Sequence, residues 1–407
     1  MMMASRAATK QSPLFVCIIG TRPEVIKMAP IIRRLREVRW ADVRVVAIGQ
    51  HLELLDQAIA DFELQIDHRI AVERQRNSII EIAAKIMERF DVLADRLSPT
   101  CVIAQGDTTT VMASAMVAFH RRLEFIHVEA GLRTGVLRAP FPEEFNRRVV
   151  ALAATLHCAP TAQAAANLRA EGVREQDCIV TGNTVIDALL YMAGRTLPLP
   201  ADFPDVPKPI LLTAHRRENA GAPLERMLGA LRAVVERYPD VGLYFPVHPN
   251  PDTQRLAERV MSGHERIRLV PAQNYPTLVA ALKASWLVVT DSGGLQEEAP
   301  ALGKPVLVLR DVTERPEAVD CGAARLVGTL PDRLHHSIAE LHDNSQAYQA
   351  MAQPRFPYGD GHAADRIVAA IAERIHIRDP SSTISGQVLG AGPVDPTTVS
   401  SDENSID

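Results

Sequence analysis

Apolar residues arrive along this chain in short runs, each closed by a glycine or polar turn and followed by a stretch with helical spacing. The run 14–19 stops at Gly20-Thr21-Arg22-Pro23, and Pro23 suits a first helical turn, where its missing N–H costs nothing. The pattern returns at 43–48, ending in Gly49-Gln50-His51, at 101–104, ending near Gly106-Asp107, and at 125–128, ending in Glu129-Ala130-Gly131. Helical periodicity fills 52–62 and 79–97, and shorter runs at 156–159 and 178–181 close this first half. A second half follows the Pro-rich stretch 197–209. Its runs are 210–213 before His215-Arg216-Arg217, 242–247 before His248, 267–270 before Gln273, 286–290 before Asp291-Ser292-Gly293-Gly294, and 305–309. Strands alternating with helices predict parallel sheets, and two successive sets predict two doubly wound α/β halves.

Polar clusters fall at the carboxyl ends of these strands in both halves, where open α/β sheets bind ligands. This pattern predicts a cleft between two sheets. The turn Asp291–Gly294 is its most informative part. Two glycines let a backbone approach a ligand, and the helix N-terminus behind them favours an anion such as phosphate. Read alone, the same residues also describe a Gly-capped structural turn. Asp107, Glu129 and Glu143 are the acid/base candidates, because carboxylates converging on a cleft push each other's pKa values apart. Asp107 could equally cap a helix and Glu143 start one.

Composition narrows the classes. The chain has 407 residues and a net charge of −5, so bulk electrostatics gives no drive toward nucleic acid or an anionic membrane. No apolar run approaches the roughly 20 residues of a membrane span. Cys17, Cys101, Cys158, Cys178 and Cys321 form no Cys-x-x-Cys pair and read as reduced residues of a cytoplasmic protein. His51, His215 and His248 lack metal-ligand spacing, so no metal site is expected. The polar leader 1–13 and the Ser-, Thr-, Gly- and Pro-rich tail 379–407 are expected to be disordered.

Ten motifs then occur in order: GTRPEVIKMAP (20–30), GQH (49–51), GDTTT (106–110), HVEAGLRTG (127–135), PFPEEFNRR (140–148), GNTVIDAL (182–189), HRREN (215–219), VHPNP (247–251), DSGGLQEEAPALGKPVLVLRDVTERPEA (291–318) and PYGDG (357–361). Over about residues 14–378 the chain resembles the bacterial non-hydrolysing UDP-N-acetylglucosamine 2-epimerases. That resemblance implies two Rossmann-like domains facing across a cleft, as in GT-B proteins. The domains would be 14–184, with the catalytic carboxylates, and 185–361, with the UDP site; a C-terminal helix at 362–378 would cross back to the first.

The resemblance also implies interconversion of UDP-GlcNAc and UDP-ManNAc without a cofactor, through elimination and re-addition of UDP by way of 2-acetamidoglucal. The product would supply surface or extracellular polysaccharide. Asp107, Glu129 and Glu143 would move protons and assist the leaving group, with His215 beside them. Arg22, Lys27, His215, Gln273, Ser292, Gly293, Gly294, Glu298 and Arg315 would hold the UDP-sugar, with Glu298 on the ribose and 292–294 on the pyrophosphate. Leu278 stands where an aromatic residue often packs near uracil. Gln50 and His51 correspond to an allosteric site, although Asn77 stands where that site's Gln-x-Leu element carries glutamine. A homodimer is expected on the same ground. A hydrolysing epimerase, a GT-B glycosyltransferase and a nucleotide-sugar-binding regulator are the competing readings.

Overall fold

A computed structural model describes residues 12–49, 52–73, 76, 78–214, 216 and 219–378. The tail expected at 379–407, all but two residues of the leader expected at 1–13, and Gln50, His51, Asn77 and His215 lie outside the described residues.

The first sheet contains β1 (Leu14–Ile19), β2 (Asp42–Gly49), β3 (His68–Ala71), β4 (Cys101–Gln105), β5 (Glu124–Val128), β6 (Leu156–Ala159) and β7 (Cys178–Val180). The second contains β8 (Lys208–Thr213), β9 (Val241–Val247), β10 (Ile267–Pro271), β11 (Leu287–Thr290), β12 (Val306–Val308) and β13 (Ala324–Leu326). Their orders are β3-β2-β1-β4-β5-β6-β7 and β10-β9-β8-β11-β12-β13. Pairing is parallel, with Phe15 opposite both Val43 and Cys101. In each sheet the order reverses beside the first strand, between β1 and β4 and between β8 and β11. Those two switch points open the crevices in which α/β sheets hold ligands. The two-domain α/β expectation therefore matches the fold. The strands absent from the sequence reading are β3 and β13, short edge strands of four and three residues that offer too little chain for a period to show.

The helix Arg22–Glu37 shows how local sequence positions the crevice. Thr21 caps it and Glu24 closes the capping box, with Pro23 in the first turn. This fixes where Arg22 and Lys27 emerge from the end of β1. The helix buries Val25, Met28, Ile31, Ile32 and Leu35 in an apolar cluster. That cluster also contains Val185 and Leu189 of the helix Thr184–Ala193, Tyr275 and Leu282 of the second half, and Ile367 and Ile371 of the helix Ala363–Arg378. Each such side chain removed from water contributes about 1.5–3 kcal/mol, so one continuous apolar layer joins the two halves.

The main chain passes between the halves twice at nearly one place. Gly182 has φ +83, and a Cβ there would stand 3.0 Å from the Cα of Gly359. The amide of Asn183 donates to the carbonyl of Tyr358 at 2.6 Å. After the second crossing the helix Ala363–Arg378 returns to the first half. Asp187 accepts its leading amides, from Ala364 at 2.8 Å and Ala363 at 3.2 Å, and Arg374 pairs with Asp177 at 2.8 Å. Asp187→Ala leaves both amides without an acceptor and should lower stability by about 1–2 kcal/mol, read as a lower urea midpoint with an unchanged slope.

Candidate active site

Between the carboxyl ends of the two sheets lies a cavity of about 750 Å³. Arg22, Lys27, Asp107, Glu129 and Glu143 line it from the first half; Gln273, Leu278, Ser292, Gly293, Gly294, Glu298 and Arg315 line it from the second. The structure thus brings together every described residue that sequence reasoning had singled out for the substrate site. Gln50, His51 and His215 are not placed, since they lie outside the described residues.

On the first wall, Glu129 follows β5 in the left-handed backbone region, at φ +62. A non-glycine residue held there is strained, and such strain gathers at functional sites. Its carboxylate takes two contacts from the Lys27 ammonium, at 2.6 and 2.8 Å, and hydrogen bonds from the side-chain amides of Gln105 and Asn183. Burial pushes Glu129 upward, but Lys27 and Arg315 outweigh it and hold the group below the usual carboxylate range. Asp107 follows β4. Arg147 holds its side chain at 2.5 Å, and the Asn146 amide donates to its carbonyl at 2.9 Å. Both partners ride on the helix Glu143–Ala153, so Asp107 and Glu143 are positioned by one rigid element. Burial raises the pKa of Asp107; Arg147 opposes this, while the charges of Glu129 and Glu143 add to it. Glu143 Oε2 is buried without a hydrogen-bond partner among the described residues.

On the second wall, Ser292 occupies the N-cap position of the helix Gly293–Ala301 without a side-chain capping bond. The missing side chain at Gly293 matters, because a Cβ there would stand 2.5 Å from Nη1 of Arg315. Only glycine lets that guanidinium lie across the turn. Arg315 pairs with Glu297 and, at 2.6 Å, with Glu314. Glu314 also meets Arg310 at 2.6 Å and Arg216 at 3.4 Å. Burial pushes Glu314 up, but Arg315 and Arg310 take it down to about 2. Glu298 accepts from the Tyr275 hydroxyl at 2.6 Å. Burial raises Glu298 to about 7, against the Tyr275 hydrogen bond and with help from the charge of Glu297. At the rim, Gln273 donates to the carbonyl of Pro271 at 2.6 Å. Among the described residues no group of three or more His, Cys, Asp or Glu side chains could hold a metal.

Sequence reasoning gave no role to Gln105, Arg147, Asn183, Glu314 or Tyr275; Glu297, in the first turns of its helix, reads from the sequence either as a complement to the helix dipole or as an acceptor for ribose hydroxyls. Arg147 and Asn183 lie inside two of the motifs, but nothing in their local spacing reveals partners tens of residues away.

Two parallel sheets meeting over a polar cleft, with chemistry at both switch points, define an α/β protein of the GT-B type. The family model for UDP-N-acetylglucosamine 2-epimerase matches residues 33–372. The chain belongs to the UDP-N-acetylglucosamine 2-epimerase family. It is 41% identical over 364 residues to the UDP-N-acetylglucosamine 2-epimerase of Yersinia pestis, covering 87% of this chain and 97% of that one. With the Bacillus subtilis enzyme of the same name it shares 42% over 353 residues, covering 86% and 93%. The solved Neisseria meningitidis UDP-GlcNAc 2-epimerase, bound to UDP-GlcNAc, superposes with a TM-score of 0.82 at 37% identity, covering 88% of this chain and all of that one.

The raised pKa of Glu298 generates a stability prediction. The folded state holds this proton more tightly than the unfolded chain. Its contribution is therefore complete below the unfolded value near 4.5 and is lost as pH rises through about 7. Glu298→Gln removes that decline. Between pH 4.5 and 7.5 the wild type should lose up to about 3 kcal/mol more than the variant, at 1.36 kcal/mol per pH unit, measured by urea unfolding in the absence of nucleotide.

Proposed function

We propose that this protein interconverts UDP-GlcNAc and UDP-ManNAc by elimination and re-addition of UDP. The observation that carries this reading is the meeting of Asp107, Glu129 and Glu143 on one wall of a cavity whose other wall is the Ser292–Gly294 turn and Arg315. The proposed division places sugar chemistry in residues 14–184 and UDP binding in 185–361. A carboxylate takes the C2 proton. The C2–H electron pair forms the C1=C2 bond, and the C1–O bond breaks toward the pyrophosphate. Arg315 and the amides of the glycine turn face the charge that then develops on UDP, where preorganised donors act most strongly. The bound 2-acetamidoglucal is reprotonated at C2 on its other face as UDP returns to C1. Glu298, beside Tyr275, takes the ribose hydroxyls. A closed, dry cleft protects the intermediate and strengthens each of these interactions.

Incubation with UDP-GlcNAc followed by product separation tests the reading. UDP-ManNAc is expected; free ManNAc with UDP would identify a hydrolysing enzyme, and transfer to an acceptor a glycosyltransferase. Product made in D2O should carry deuterium at C2. Asp107→Asn, Glu129→Gln and Glu143→Gln should each lower kcat at least about 100-fold, the ordinary size of a general acid–base contribution, with UDP affinity nearly intact by calorimetry. Arg315→Ala should instead weaken UDP by about 1.5–3 kcal/mol, the range for hydrogen bonds to charged groups.

The reading places the enzyme in the cytoplasm as a homodimer. All five cysteines are free thiols, and among the described residues no helix is long and apolar enough to cross a membrane. Support for the dimer comes from three adjacent helices of the first half, Ile79–Leu97, Thr109–His120 and Glu143–Ala153. They leave Val92, Phe119, Phe145 and Leu152 exposed, Leu152 by 84%. Exposed apolar patches of this kind mark association surfaces. Leu152→Glu should convert the sedimenting species from dimer to monomer, whereas an unchanged mass would rule out this face.

A further inference from the structure

Asn183 stands at the first crossing between the halves, 2% exposed, and all of its polar groups are engaged. Its Oδ1 accepts from the Val185 amide at 3.1 Å and caps the helix Thr184–Ala193. Its Nδ2 donates to Oε1 of Glu129 at 2.9 Å and to Oε2 of Glu297 at 2.7 Å. This orientation is fixed by chemistry. The flipped amide would aim its oxygen at two carboxylates and its NH2 at a backbone N–H. Lys27 meets both oxygens of Glu129, and Arg315 meets Oε1 of Glu297, the oxygen that Asn183 does not touch. A single carboxamide nitrogen therefore links a proton-transfer carboxylate of one half to the partner of the anion-facing guanidinium of the other.

We infer that Asn183 is a positioning residue that holds Glu129 in register with the nucleotide half, through one nitrogen shared between Glu129 and Glu297. The inference rests on the epimerase reading above and deepens it. A helix cap alone would not need asparagine, since aspartate and serine cap comparably. Aspartate, however, would bring a third carboxylate against Glu129 and Glu297, and serine would not present the two-headed donor. An asparagine whose second N–H points across the domain junction does work that a cap does not require.

The test uses Asn183→Asp and Asn183→Ser, both of which keep a favoured capping oxygen, in the full-length chain. Each removes both hydrogen bonds of Nδ2 and should lower kcat for UDP-ManNAc formation by about tenfold to a hundredfold, the size of the lost hydrogen bond to the Glu129 carboxylate. UDP affinity, titrated by calorimetry, should change much less. In a Glu129→Gln background Asn183→Ser should add little further loss, because the two act as one unit. Wild-type kcat in both variants, or full additivity with Glu129→Gln, would overturn the inference. So would variants that fail to fold at 25 °C by circular dichroism, which would make the Asn183 amide bridge a requirement of folding rather than of positioning. If the wild type itself forms no UDP-ManNAc, the functional reading fails instead, and the two failures are told apart.

Discussion

Charge withdrawn from water at the domain junction is the constraint on which the rest of this structure depends. Lys27, Glu129, Glu297 and Arg315 are all largely removed from solvent. A buried ion of this kind is costly unless it is paired and hydrogen-bonded. Here each cation faces a carboxylate, and Asn183 supplies hydrogen bonds to both anions. Each half pairs its own members: Lys27 with Glu129 in the first sheet's crevice, Arg315 with Glu297 in the second's. The Asn183 amide, donating to one carboxylate of each pair, ties the two buried pairs together and so fixes how the halves meet. The apolar layer running through Ile31, Val185, Tyr275 and Ile367 supplies the driving force, and the polar network supplies the registry.

The same arrangement explains how the cations that line the cleft are held in place. Arg315 and Arg216 converge on Glu314, and Lys27 on Glu129. On the proposed reading, an incoming pyrophosphate would meet guanidinium groups already oriented by carboxylates, so little ordering would remain to be done on binding. The cost is competition, since the anion must share those cations with Glu314 and Glu297.

Much of this was legible in the chain. Apolar runs that stop at Gly20, Gly49, Gly106 and Gly293 announce strands and the turns after them, because a glycine or polar stop is how a strand hands over to a helix above a crevice. The candidate carboxylates and the glycine turn follow from that same grammar. What was not legible is pairing across distance. Asn183 reaches Glu129 over 54 residues and Glu297 over 114, and no local period encodes such contacts. Arg147 could be suspected one helical turn beyond Glu143, yet its partner Asp107 lies 40 residues earlier. The edge strands β3 and β13 were hidden for another reason. A strand of three or four residues with a single buried position resembles a loop until its neighbour is known.

The two adjacent crossings carry a mechanical consequence. Because Gly182 and Gly359 nearly touch, and the helix Ala363–Arg378 belongs to the first half again, the second half is in effect a guest domain whose entrance and exit share one doorway. A body whose main chain is tethered at one point can swing about it more readily than it can slide. Displacement during any swing grows with distance from the doorway. Asn183 and its two carboxylates sit beside the doorway and would barely move, while parts of the second half farther from it would travel more. A protein built this way can admit and release a bulky ligand at the rim while keeping its most demanding geometry, the buried ion network, almost stationary.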